Sequence, residues 1–151
     1  MLQEQVLSLF QIKHGSWNEL QSAAKFIRTE VFIQEQKIAA EDEWDQDDKH
    51  AVHFILYDQA RAIATARLLP NHWIGRVAVL KTDRGRGLGK ALMQAIIEYA
   101  QEQQLDQLCL SSQVHATSFY QELGFACFGE VYENCGIPHI NMHLTLSSTT
   151  P

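Results

Sequence analysis

Apolar and polar positions along the chain follow two rhythms, and each predicts a different kind of element. "VLSLFQI" (6–12) alternates and predicts a first strand. "WNELQSAAKFIRTEVFIQEQ" (17–36) repeats at helical spacing and sets Leu20, Ala24, Ile27 and Val31 on one face. "AVHFILYD" (51–58) and "ARAIATARLL" (60–69) are β-rich runs divided by a short turn, which predicts a hairpin ended by Pro70 and Asn71. "WIGRVAVL" (73–80) is a further strand, and a helix from about 86 to 103 carries a stripe of Leu88, Leu92, Ala95, Ile96 and Tyr99. "DQLCLSS" (106–112) reads as a buried strand, and "ATSFYQEL" (116–123) as a short helix stopped by Gly124. "FACFGEVY" (125–132) and "HINMHLTL" (139–146) are two last strands, joined by a loop holding Gly136 and Pro138. The order β-α-loop-β-β-β-α-β-α-β-β predicts a mixed α/β sheet in a single domain over 1–151, with a frayed tail from residue 147.

Composition narrows the function classes. At 151 residues the chain is long enough for one real core, and 46% hydrophobic with 20% charged is an ordinary globular balance. A net charge of −6 argues against a nucleic-acid or anionic-membrane binder, which needs a basic face. No apolar run approaches the roughly 20 residues that span a bilayer. Glu4 stands where a secretion leader would be basic. Cys109, Cys127 and Cys135 are odd in number and widely spaced, which reads as reduced thiols in a cytoplasmic protein.

Candidate chemistry concentrates in "RGRGLGKALMQAIIEYAQ" (84–101), where three glycines and two arginines run directly into a helix. Glycine lets another group approach the backbone closely, and a helix N-terminus presents free N–H groups and partial positive charge. Together they predict a phosphate cradle. A P-loop fails, because Gly89-Lys90 is followed by Ala91 and Arg84 stands where the first glycine belongs. A dinucleotide fingerprint fails too, because position 90 is Lys.

The spacing of Arg84, Gly87 and Gly89 (R-x-x-G-x-G) resembles the acyl-CoA motif of the GNAT (Gcn5-related) N-acetyltransferases. "VAVLKTDRGRGLGKALM" is similar to that family's fourth strand, pyrophosphate loop and helix, and "HATSFYQELGF" to its later A-x-x-F-Y-x-x-L-G-F segment. The resemblance covers nearly the whole chain; "EVFIQEQ", "IGRVAVL" and "GIPHINM" resemble the small bacterial ElaA- and YjcF-like branch. It implies a sheet splayed between the fourth and fifth strands, with helices on both faces. It implies acetyl-CoA as co-substrate, no metal, and an amine acceptor, small-molecule or peptide. Backbone N–H groups of Arg84, Gly85, Arg86, Gly87, Leu88, Gly89 and Lys90 would hold the pyrophosphate, with Arg84, Arg86 and Lys90 adding cationic contacts. Val77, Ala78 and Val79 would pair with the pantetheine arm as a strand does. The family's usual Asn after the fifth strand is missing from "SSQVHATS", which leaves Gln113 or His115 to contact that arm.

The implied reaction is direct acyl transfer from a thioester to an amine, with a non-catalytic acyl-CoA-binding or sensing module as the alternative. Tyr120 resembles the family's tyrosine that supports the leaving thiolate. Glu35, Glu43, Asp45, Glu133 and His139 lie where an acceptor's proton could be taken; His139 is the first choice and Glu35 the second. The run Glu41, Asp42, Glu43, Asp45, Asp47 and Asp48 is either a solvated face or a funnel for a cationic amine with Trp44 as one wall. Cys135, His139 and His143 do not make a metal site: on a strand the two histidines stand about 13 Å apart at roughly 3.3 Å per residue, while zinc bonds are about 2 Å long. Acceptor, acyl length and oligomeric state, a homodimer included, are left open.

Overall fold

The computed structural model describes residues 10–147. Residues 6–9 of the first expected strand and 148–151 of the tail lie outside the described residues. The chain opens with β1 (Phe10–Gly15) and α1 (Trp17–Arg28). Ser16 starts α1 with a capping box: its side chain accepts from the Glu19 amide while Glu19 accepts from the Ser16 amide. The helix continues as a π-helical stretch, Thr29–Glu35. Its wider winding is closed by bonds from Gln36 N to Val31 O and from Ile38 N to Phe32 O.

Two short helical turns follow, α2 (Ala40–Glu43) and a 3₁₀ turn (Gln46–His50). Then come β2 (Val52–Asp58), β3 (Arg61–Leu68) and β4 (Trp73–Val79). α3 (Leu88–Glu102) leads to β5 (Gln107–Gln113), and α4 (Thr117–Glu122) to the hairpin of β6 (Ala126–Asn134) and β7 (Ile137–Thr145). The seven strands form one sheet in the order β1-β2-β3-β4-β5-β7-β6. All neighbours are antiparallel except β4 and β5, which run parallel.

Helices cover both faces. Adjacent residues of β2 point opposite ways: His53 meets Trp17 of α1 at 4.8 Å between ring centres, and Phe54 meets Tyr99 of α3 at 5.5 Å. Ile27, Ile55, Ile63, Leu92, Ile96 and Leu108 are fully buried in the core between them.

The parallel pair is where the sheet opens. β4 and β5 are matched only at Trp73↔Cys109 and Ile74↔Leu110. Beyond those, β4 turns away through a bulge against β3, where register slips between Thr65 and Arg67. Arg76 sits in the bulge with φ of 53°, in the left-handed region that a residue with a Cβ carries at a cost. The expected splay is therefore present, and a strained arginine marks its start.

The end of the chain differs from expectation. The last hairpin turns tightly on Cys135 and Gly136, at φ of 52° and 77°, as a two-residue loop requires. β7 thus begins two residues earlier than expected and contains Pro138. Proline is tolerated there because β5 reaches only as far as His139, so Pro138 has β6 as its one strand neighbour.

Candidate active site

The glycine segment forms an amide cradle. Gly85 and Gly87 have φ of 81° and 76°, and Gly87 caps the N-terminus of α3. Among the described residues, the N–H groups of Gly85, Arg86, Gly87, Leu88, Gly89 and Lys90 bond to no carbonyl; the first amide of the helix to be satisfied is Ala91, by Gly87 O. A methyl group at Gly85 or Gly87 would meet no heavy atom within 4 Å, so the space above these amides is open. What the loop offers an anion is backbone N–H groups.

The loop's arginines are turned elsewhere. Both Arg84 terminal nitrogens donate to Glu35, at 2.6 and 2.7 Å, and its Nε donates to Val79 O at 3.0 Å. Arg86 bonds Asp83 at 3.0 Å, and Asp83 also receives both nitrogens of Arg61. Lys90 is the loop cation without an ion-pair partner among the described residues. Arg84 and Arg86, expected with Lys90 to add cationic contacts to phosphate, are instead each engaged by a carboxylate.

Beside the cradle, the open edge of β4 faces the splay. Leu80 N donates to Ile63 O, which makes Val79↔Ala64 a pair without mutual hydrogen bonds. The N–H and C=O of Val79 therefore point away from β3, into the gap. Ala78, opposite Thr65, is the hydrogen-bonded pair, and its backbone groups face β3. That removes Ala78 from the set that could bond an extended arm and leaves its neighbours.

Across the splay lies a cavity of about 430 Å³. Its walls come from the π-helical stretch (Phe32), β3 and β4 (Arg67, Arg76, Val77), α4 (Tyr120) and the β6–β7 tip (Cys135, His139). The Tyr120 ring packs edge-on to Phe119 and Phe125, and burial pushes its phenol up to about 12. It is thus a neutral hydroxyl throughout the ordinary pH range. His139 Nδ1 lies 2.7 Å from Ile137 O. A carbonyl can only accept, so Nδ1 carries a hydrogen, and the tautomer this selects has its lone pair on Nε2. Gln113 also lines the cavity, where its amide donates to Gln36 and receives a bond from His115.

Glu35 is not brought to this cavity. Its two oxygens accept from Arg84, which holds its carboxyl below the usual carboxylate range. That pairing leaves it a poor proton acceptor, and the structure removes it as the second choice of base. Glu133 lies exposed on edge strand β6, outside the cavity walls.

The acidic run divides: Glu41, Asp42 and Asp47 are exposed, as a solvated face would be, while Glu43, Asp45 and Asp48 turn to arginines. Glu43 and Asp48 are each 2% exposed. Arg28 Nε bonds Glu43 at 2.7 Å and its Nη1 bonds Asp48 at 2.8 Å. Arg67 bonds Asp48 at 2.9 Å and takes both oxygens of Asp45 at 2.8 and 2.9 Å. Arg76 contacts Glu43 and Asp45. Trp44 stacks on the Arg28 guanidinium at 4.9 Å instead of walling an acceptor path. Burial drives the Glu43 carboxyl above its usual value, against the pull of Arg76 and Arg28.

The three arginines were missed by sequence reasoning, though a signal was there. Arg28 follows Ile27 on the apolar stripe of α1, and Arg67 sits in "ATARLL" between the buried Ala66 and Leu68. A charged side chain at a core position demands a buried partner, and the acidic run is where carboxylates are concentrated.

Comparison with known proteins agrees with this architecture. A family model described as an acetyltransferase (GNAT) domain matches residues 18–146. The protein named "Uncharacterized N-acetyltransferase YjcF", from Bacillus subtilis (strain 168), is 31% identical over 123 residues, covering 79% of this chain and 88% of that one. The crystal structure of Escherichia coli ElaA superposes with a TM-score of 0.81 at 31% identity, over 89% of this chain and 99% of ElaA. An acyl-CoA N-acyltransferase from Pseudomonas aeruginosa superposes with a TM-score of 0.77 at 33% identity, over 89% and 97% of the two chains.

Proposed function

The chain belongs to the GNAT acetyltransferase family, and from that premise we propose that it is an acyl-CoA-dependent N-acyltransferase, moving an acetyl group from acetyl-CoA to an amine by direct transfer. The observation that carries the reading is the conjunction of three features: a run of unbonded amides at a helix N-terminus, the backbone edge of β4 turned into the splay, and a cavity holding Tyr120 and His139. Acetyl-CoA supplies the thioester. The cradle amides and Lys90 bind its phosphates, and the backbone of Val77 and Val79 receives the pantetheine arm.

His139 Nε2 takes the proton that the amine must lose, because a primary amine with a pKa near 10.4 is neutral only about once in 2,500 at pH 7. The amine nitrogen forms its bond to the carbonyl carbon, the C–S bond breaks, and the sulfur leaves as thiolate. Val79 N–H, turned into the gap, is placed to hold the carbonyl oxygen. Tyr120 donates a hydrogen bond to the departing sulfur. With its phenol at about 12 and a thiol near 8.5, complete proton transfer would be uphill by about 5 kcal/mol. The tyrosine therefore stabilises charge and keeps its proton.

Release of free thiol, followed with Tyr120→Phe, tests this reading. The ring and its packing remain, so acetyl-CoA affinity and thermal stability stay near wild type. The expected change is a fall in kcat and kcat/KM together by about 10²–10⁴-fold. A Phe variant that turns over like the wild type, under conditions where chemistry limits the rate, assigns Tyr120 to packing alone.

A further inference from the structure

The ion cluster that reaches the cavity through Glu43, Arg67 and Arg76 is balanced but incompletely bonded. Arg28, Arg67 and Arg76 face Glu43, Asp45 and Asp48, three of each sign. Arg67 Nε is buried without a hydrogen bond, and Glu43 and Arg76, in contact with each other, each keep an unbonded terminal atom. Both contacts to Glu43 fall on Oε2, from Arg28 Nε at 2.7 Å and Arg76 Nε at 3.1 Å, and no described donor reaches Oε1. Arg76 engages Glu43 O and Asp45 through Nη2, at 2.9 and 3.2 Å, while Nη1 has no partner among the described residues. Its buried Nε sits against Glu43 without an aligned hydrogen bond. Both residues line the cavity that holds Tyr120 and His139.

We propose that this cavity takes an amine that also carries a carboxylate, an amino-acid-like acceptor, with Arg76 Nη1 donating to the carboxylate and Glu43 Oε1 accepting from the amine. The inference rests on the acyltransferase reading and names its acceptor class. A purely cationic amine finds no net negative wall, because the cluster's three carboxylates are matched by three arginines; exposed Asp42 at the rim is screened by solvent. A zwitterion matches an unbonded guanidinium nitrogen and an unbonded carboxylate oxygen on two residues in contact, and guanidinium nitrogens suit carboxylate geometry. At about 430 Å³ the cavity is near the small end of ligand pockets, about 300–1,000 Å³, and it must also admit the acyl end. The reaction is unchanged: N–C forms, C–S breaks, the amine's proton leaves through His139 Nε2, and the carboxylate stays intact on Arg76.

The test follows thiol release from acetyl-CoA by the full chain. The acceptors are the twenty common amino acids as free acids, the matching carboxamides, and putrescine and glucosamine as amines without a carboxylate. At least one free acid is expected to exceed its own carboxamide by about 10²-fold in kcat/KM. Arg76→Lys should reduce that preference by about tenfold or more, through KM for the acid, with acetyl-CoA affinity by calorimetry unchanged. Glu43→Gln should raise KM for acid and carboxamide alike, which separates the two roles if either variant is poorly folded. Carboxamides equal to acids, or putrescine or glucosamine as best acceptor, overturn the proposal and leave the acyltransferase standing; failure to bind acetyl-CoA overturns both. If no amine turns over, calorimetric titration of the coenzyme-A-saturated protein with the free acids decides, and absence of binding overturns the proposal.

Discussion

The cradle and the buried ion cluster lie on two sides of one splay, and they are built from opposite materials. The cradle is backbone: unbonded amides, two glycines with positive φ, and arginines that point to Glu35 and Asp83. The cluster is side chain: six charges from α1, the acidic turns, β3 and β4, most of them buried. A backbone site needs a local conformation and open space, so contiguous residues specify it. A side-chain site needs elements distant in the chain to arrive together, so its stability is that of the fold.

The largest expected effect follows from that contrast. Asp48→Ala removes a carboxylate shared by Arg28 and Arg67 and leaves buried guanidinium groups short of a partner. Breaking a buried charge cluster in this way costs about 3–5 kcal/mol, read from urea unfolding. Gly87→Val at the cradle should cost less, about 1–3 kcal/mol, because there is room for the side chain and only the left-handed φ is strained. Its main effect should be on ligand: acetyl-CoA affinity falls at least about tenfold by calorimetry, since relaxing that φ re-aims the amides, and tenfold corresponds to about 1.4 kcal/mol. Equal stability losses in the two variants, or unchanged affinity in folded Gly87→Val, would erase the distinction.

The same contrast explains what could be read from the chain. Strands, the two long helices and the glycine cradle repeat or neighbour one another in sequence, and they fall within a few residues of expectation. The π-helical winding at Thr29–Glu35 carries no local signal, because its residues keep an apolar pattern close to that of an α-helix. It nevertheless directs Glu35 to Arg84 and brings Phe32 and Gln36 to the cavity. Pro138 suggested a loop where the structure has a strand, since which strands flank it is a tertiary fact. The acidic run was half legible: Glu41, Asp42 and Asp47 are exposed as such a run suggests, but Glu43, Asp45 and Asp48 look solvated only until Arg28, Arg67 and Arg76 are seen beside them. Tyr120 was legible only through its surrounding motif, because a tyrosine on a short amphipathic helix is equally a packing residue.

The smallest expected effect is one of pH, and it separates the two regions because amides do not titrate between pH 5 and 8. His53 is buried under Trp17 and donates Nε2–H to Asp48 O at 2.9 Å. Burial, with Arg28 and Arg67 nearby, holds its pKa below the usual value, outweighing Asp48. The folded protein therefore keeps His53 neutral while the unfolded chain takes up a proton below about pH 6.5. The stability from this residue is complete above that value and falls as pH drops toward the folded pKa, by at most about 1.4 kcal/mol per pH unit. Glu43 works in the other direction, since its raised carboxyl binds a proton in the folded state first and adds stability as pH falls through its folded pKa. The net loss between pH 7.5 and 5 should thus be about 1 kcal/mol or less in urea unfolding. His53→Gln keeps an N–H donor without a titrating ring, so it should flatten the profile between pH 7 and 5. Gly87→Val should run parallel to the wild type across the same range. A His53→Gln profile as steep as the wild type would move the pH dependence out of the cluster and onto the exposed histidines.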